Sequence, residues 1–181
     1  LALEGGGGGG GGEEGMGMGR RRLDPDRVGI CGGSHGGFLA GHCAGQHPDL
    51  YRVAALRNPV TNIATMVTAT DLPDWCYVET FGTGSYDWTG FRPPRRDELG
   101  PMHDASPATH VDGVRAPTLV ALGMADRRVP PSQGLEFYHA LRSRGIPTRL
   151  LMYEQDDHAI DGVASEADHW INIARWFQEH L

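Results

Sequence analysis

"ICGGSHGGFLA", residues 30–40, sets one serine among four glycines, between an apolar run and a segment with helical spacing. Ser34 is either a nucleophile on a tight strand-to-helix turn or one polar residue in a flexible loop. Gly32-Gly33-Ser34-His35-Gly36 matches the Gly-x-Ser-x-Gly pattern of a nucleophile elbow. An elbow bends strand into helix so sharply that the serine takes an unfavourable backbone conformation. Side chains flanking it would collide, which accounts for Gly32 and Gly36 as elbow glycines. The helix start supplies backbone N–H groups that can hold an oxyanion, and the N–H of His35 is the expected donor. The flanks agree with an elbow. "RVGICGG", 27–33, reads as a buried strand, and "GFLAGHCAGQHPD", 37–49, as a helix that stops at His47-Pro48.

Further along, "RVAALRNPV" (52–60) is a second strand candidate and "APTLVALGMAD" (116–126) a third, ending at an acidic turn. "PPSQGLEFYHALRSRGI" (130–146) predicts a helix with Leu135, Tyr138 and Leu141 on one face and Gly145 as its stop. "PTRLLMYEQDDH" (147–158) is a fourth strand and its exit. "ASEADHWINIARWFQEHL" (164–181) is an amphipathic last helix, with Trp170, Ile173, Ala174 and Phe177 at the 3, 4 spacing. The stretch 61–115 reads as loop and short helices. Strands alternating with helices predict an α/β fold with a mostly parallel sheet flanked by helices. In such sheets functional groups gather beyond the carboxyl ends of the strands. Three of those ends carry candidates: Ser34, Asp126 and His158. Their order, Ser then Asp then His, is that of α/β-hydrolases. Taken singly, Asp126 could be an ordinary turn-capping acid and His158 one of nine histidines. Three coincidences at three strand ends favour the catalytic reading.

Composition narrows the partners. The net charge is −7 and no basic residue is lysine, so the surface repels phosphate backbones and nucleic acid is not expected as a partner. No apolar stretch approaches the ~20 residues that span a bilayer, so no membrane partner is expected. Cys31, Cys43 and Cys76 make neither an even framework nor a Cys-x-x-Cys pair, which predicts a reduced, cytoplasmic location. The cluster Cys31, His35, His42, Cys43, His47 lacks zinc spacing, and Glu154, Asp156 and Asp157 match no calcium loop, so no metal or other cofactor is expected. The four tryptophans, Trp75, Trp88, Trp170 and Trp176, read as packing residues. Residues 1–22, with eight consecutive glycines, offer little to bury and read as a disordered head before a domain at 23–181.

"DPDRVGICGGSHGGFLA", "RNPVTNIATMVTATDLPDWC", "LGMADRRVPPSQGLEFYHAL" and "RLLMYEQDDHAI" resemble the catalytic domain of the prolyl oligopeptidase family of serine peptidases. Within it, "GGSHGG", "RNPV" and "TDLPDWC" resemble the acylaminoacyl-peptidase group most. The resemblance covers residues 24–181. It implies Ser34 as nucleophile, Asp126 as orienting acid and His158 as general base, acting on N-acylated peptides in a cytosolic homo-oligomer. It also implies that the chain is the C-terminal part of a partial α/β-hydrolase fold, lacking earlier strands, a second oxyanion donor and a β-propeller. A catalytically silent fragment that acts only as an interaction partner, and a general carboxylesterase, are the alternatives. One departure stands beside the base. Asp156 and Asp157 precede His158 where the family more often has small or neutral polar residues. Carboxylates facing the imidazole would favour its protonated form, so both are expected to face water.

Overall fold

Each apolar run forms a strand: β1 (Gly29–Gly33), β2 (Val53–Arg57), β3 (Thr118–Gly123) and β4 (Thr148–Tyr153). In the computed structural model, which describes residues 23–90 and 92–181, they pair in parallel in the order β1-β2-β3-β4. The expected head, 1–22, lies outside the described residues. The α/β class follows the sequence expectation, and parallel pairing puts all four carboxyl ends at one edge. Helices α1 (His35–Gln46), α2 (Ile63–Met66), α3 (Pro73–Phe81), α4 (Arg96–Asp104), α5 (Ser132–Ser143) and α6 (Val163–His180) connect or follow the strands, with a 3₁₀ helix at Pro107–Gly113.

The period-2 alternation of β2 and β3 sorts side chains between two layers. Val53, Ala55, Leu119 and Ala121 pack under Ile173 and Trp176 of α6. Leu56 faces the other way, onto Ala40 and Ala44 of α1 and Phe137 and Leu141 of α5. Full burial of one such large side chain stabilises by about 1.5–3 kcal/mol. A third cluster, Phe38, Val60, Ile63, Met66, Cys76, Tyr77, Met102 and Val129, joins the start of α1 to α2, α3 and α4. It underlies the stretch 61–115, whose short helices match the expectation.

Two helix faces differ from those expected. On α6 the buried residues are His169, Ile173 and Trp176, while Trp170 is 50% exposed. The inward histidine bonds the carbonyl of Ser165 through Nδ1 at 3.0 Å, while its Nε2 is buried with no hydrogen-bond partner among the described residues. On α5, Phe137 takes the core position given to Tyr138. Gly134 faces Leu122 and Val120 of β3 so closely that a Cβ there would overlap them. The helix therefore seats its Gly134 side on the sheet, and Phe137 and Leu141 follow on that face. Trp88 is also not a packing residue, being 73% exposed at the end of an edge-on contact with Tyr86. Strand β2 stops at Arg57 rather than 60 because Asn58 turns left-handed, at φ 40°, and Pro59 has no N–H to donate.

Candidate active site

Ser34 lies where β1 passes into α1 without a loop. It adopts φ 57°, ψ −121°, a conformation that costs a non-glycine residue about 1–3 kcal/mol. Its N–H donates to Arg57 O at 2.9 Å and its carbonyl accepts from Phe38 N at 3.0 Å, so both sides of the turn are tied down. Gly32 is required sterically: a Cβ there would run into the carbonyl of Gly36. Gly36 is not. A Cβ on it would meet nothing within 4 Å, so the collision argument fails at this elbow glycine. The crowded neighbour is Gly37, where a Cβ would lie 2.8 Å from Pro59 Cβ. His35 is the first residue of α1, so its N–H has no carbonyl partner inside the helix. Its ring stands against Trp75 (centroids 5.6 Å) and Glu79 (3.6 Å) of α3.

Beyond β3, Asp126 is 4% exposed. Its Oδ1 accepts the N–H groups of Arg128 (2.8 Å) and Val129 (3.0 Å), and its Oδ2 accepts His158 Nδ1 at 2.7 Å. Turn capping and histidine orientation thus fall to separate oxygens of one carboxylate. His158, beyond β4, closes the chain: Nε2 lies 2.8 Å from Ser34 Oγ. A carboxylate can only accept, so the proton sits on Nδ1 and Nε2 is left to accept the serine hydroxyl. The structure therefore brings Ser34, His158 and Asp126 into one line of hydrogen bonds, across sequence separations of 124 and 32 residues.

Of the two aspartates before His158, Asp157 is exposed, as expected, whereas Asp156 is half-buried; both also accept local hydrogen bonds. Asp156 accepts Gly162 N (3.0 Å) and Ser165 Oγ (2.6 Å) at the start of α6. Asp157 Oδ1 accepts Ala159 N at 3.1 Å. Each carboxylate serves the loop backbone or α6. His169, which also follows Asp126 in the chain, is fully buried in α6. Burial lowers the His42 pKa, and its Nε2 bonds Ala105 O at 3.1 Å. Among the described residues no three His, Cys, Asp or Glu side chains come together as a metal-holding group, and no helix is long and apolar enough to cross a membrane. An open cleft of ≈ 600 Å³ beside His158 is lined by Asp71, Asp126, Arg127, Arg128 and Gln155. Sequence reading gave no role to Arg57 and Asn58. The Asn58-Pro59 pair was a legible turn signal, but its partners lie some hundred positions away.

Comparison with known proteins agrees with this geometry. The family model described as the prolyl oligopeptidase family matches residues 18–181. The acylamino-acid-releasing enzyme of Mus musculus is 46% identical over 159 residues, which are 88% of this chain and 21% of that protein. The enzyme of the same name from Arabidopsis thaliana is 42% identical over 157 residues, or 87% of this chain and 20% of that one. The chain thus spans about a fifth of the length of these curated relatives. Among solved structures, uncomplexed Pyrococcus horikoshii acylaminoacyl peptidase superposes with a TM-score of 0.74 at 23% identity, covering 87% of this chain and 25% of that one. That likeness supports the α/β-hydrolase architecture. With a family match over all the described residues and a Ser-His-Asp line at the carboxyl edge of a parallel sheet, the chain belongs to the prolyl oligopeptidase family.

Proposed function

We propose that this chain carries the catalytic triad of a serine peptidase that releases an N-acylated amino acid from a blocked peptide. The observation that carries the reading is the unbroken contact from Ser34 Oγ through the His158 ring to Asp126, at 2.8 and 2.7 Å. The relatives at 40–46% identity, which are named acylamino-acid-releasing enzymes, support this substrate class. In this scheme His158 Nε2 takes the Ser34 proton as Oγ attacks the carbonyl of the acylated residue. Asp126 holds the ring in the Nδ1–H tautomer and stabilises the imidazolium. The negative charge on the former carbonyl oxygen is held by the N–H of His35. His158 then passes its proton to the departing amine; water, deprotonated by the same nitrogen, attacks the acyl carbonyl, and Ser34 Oγ leaves by taking that proton back from His158.

The test is hydrolysis of an acetyl-alanyl amide beside an activated ester, with Ser34→Ala as the blank. Turnover of both by the wild type and of neither by Ser34→Ala supports the proposal. Turnover of the ester alone favours a general esterase. Turnover by Ser34→Ala removes Ser34 from the mechanism.

A further inference from the structure

The carbonyls of Asp157, His158 and Ala159 all point at two adjacent residues of β2's end. Asn58 Nδ2 donates to Asp157 O (3.2 Å) and His158 O (3.0 Å), and Arg57 Nη1 donates to Ala159 O. Consecutive side chains on a strand point to opposite faces. Here the left-handed turn at Asn58, φ 40°, breaks that alternation and lets both side chains reach one loop. Asn58 is 1% exposed, and its Oδ1 accepts Gly123 N at 2.9 Å, so its amide is fixed from the β3 side as well. Arg57 reaches the other way too. Its carbonyl receives the Ser34 N–H, and its guanidinium lies across Gly33, where a Cβ would sit 2.9 Å from Nη2.

The loop held in this way is not relaxed. Ile160, a β-branched residue, stands at φ 49°, a conformation costing about 1–2 kcal/mol, and is fully buried. Strain of this kind persists only where surrounding contacts over-determine it. Gly123 shows how closely the loop is seated. A Cβ there would overlap Asp157 O and lie 2.7 Å from Asp156 O.

We propose that Arg57 and Asn58 are positioning residues: together they clamp the backbone of the histidine loop so that the His158 ring spans the gap between Asp126 and Ser34. The proposal rests on the triad reading above for its catalytic consequence. It makes the "RNPV" stretch part of the machinery although neither side chain touches the reacting atoms. Arg57 links nucleophile turn to base loop, and Asn58 links base loop to the strand that carries the acid.

The experiment uses the full 181-residue chain with Asn58→Gly, Asn58→Asp, Arg57→Met and Arg57→Lys. Asn58→Gly keeps the backbone that glycine adopts most easily and removes only the amide. Asn58→Asp keeps the acceptor toward Gly123 and loses the donor. Three readouts are taken: the rate of fluorophosphonate labelling, the kcat and KM of activated-ester hydrolysis, and the downfield proton resonance of the His158 Nδ1–H bond to Asp126. Far-UV circular dichroism checks folding. Asn58→Gly is expected to label about 10²-fold more slowly, the loss that misplacement of a catalytic group by about 1 Å brings. That loss should appear in kcat with KM kept, and the resonance should disappear. Arg57→Met should fall in the same direction, with Arg57→Lys restoring part of the rate. A folded Asn58→Gly that labels at the wild-type rate, or keeps the resonance, overturns the clamp. Should Asn58→Gly fail to fold, the Arg57 pair decides by the same readouts. If the wild type itself is not labelled, the peptidase reading fails. The resonance, which needs no turnover, then still decides: present in wild type and lost in the variants supports the clamp, and any other pattern overturns it.

Discussion

Alanine placed at Gly32 and at Gly36 should have opposite consequences, although both are glycines of the same motif. At Gly32 the new Cβ would fall on the Gly36 carbonyl and lie 2.8 Å from Gly37 N, all of it backbone at the first turn of α1. Carbon contacts settle at about 3.5–4.0 Å, so α1 must retreat from β1 by on the order of 1 Å. Overpacking against rigid backbone costs about 1–3 kcal/mol. Ser34 stands between the two groups that are forced apart, and its Oγ is 2.8 Å from His158 Nε2. A shift of that size carries the hydroxyl out of hydrogen-bond range and should cost about 10²-fold in reactivity. At Gly36 a Cβ meets open space, and alanine is the better helix former by about 0.5–1 kcal/mol. Gly36→Ala should therefore be neutral or slightly stabilised and label close to the wild-type rate. Denaturant unfolding and fluorophosphonate labelling measure both quantities. A Gly32→Ala chain as stable and reactive as wild type, or a Gly36→Ala chain as damaged as Gly32→Ala, would refute the steric reasoning.

Phe137→Ala should lose about 3–5 kcal/mol of unfolding free energy, since the ring is 2% exposed between α1, α5 and β2, and a loss under 1 kcal/mol would show that the site collapses freely. Glu98 accepts from Arg92 at 2.6 and 2.8 Å and from Arg95 N at 2.6 Å, and these bonds, Arg92's foremost, pull its carboxyl from 4.5 down to about 2. Its folded pKa lies below the unfolded one, so its contribution is complete above the unfolded pKa and fades as pH falls toward about 2. The melting-temperature gap between wild type and Glu98→Gln should accordingly close over that acid window, and a gap independent of pH would contradict it. Burial, with Asp74 adding its charge, pushes the Cys76 thiol up to about 12. Iodoacetamide at mildly alkaline pH should spare Cys76 until denaturant unfolds the chain, and native-state modification as fast as that of the exposed Cys31 would count against this packing.

The residues that meet at the carboxyl edge were legible because each stands beside local punctuation at a strand end. Ser34 is framed by glycines, Asp126 opens an acidic turn, and His158 closes the exit of β4. The parallel sheet then needed only the alternation of strand and helix. Helix faces were harder to read. Hydropathy turns Trp170 inward, yet His169 is the buried residue, with only its Nδ1 paired, to Ser165 O. Gly134 shifted the seated face of α5 for a reason that lies on β3, not on the helix. Arg57 and Asn58 were illegible as a pair because their partners are 99 to 102 positions away. Polar contacts of that span leave no periodic trace. Gly36 shows the converse limit, a motif position whose steric justification does not hold in this fold while the adjacent Gly37 carries the crowding.

Identification of the modified residue after fluorophosphonate treatment tests the triad most directly. The intact chain is incubated with the probe, digested, and the adduct located by mass spectrometry, with Ser34→Ala and His158→Ala treated alongside. The adduct should appear on the peptide containing Ser34, be absent from Ser34→Ala, and form far more slowly in His158→Ala, since Nε2 at 2.8 Å is the group that accepts the serine proton. An adduct on another serine, or equal labelling of wild type and His158→Ala, would contradict a nucleophile activated by this histidine.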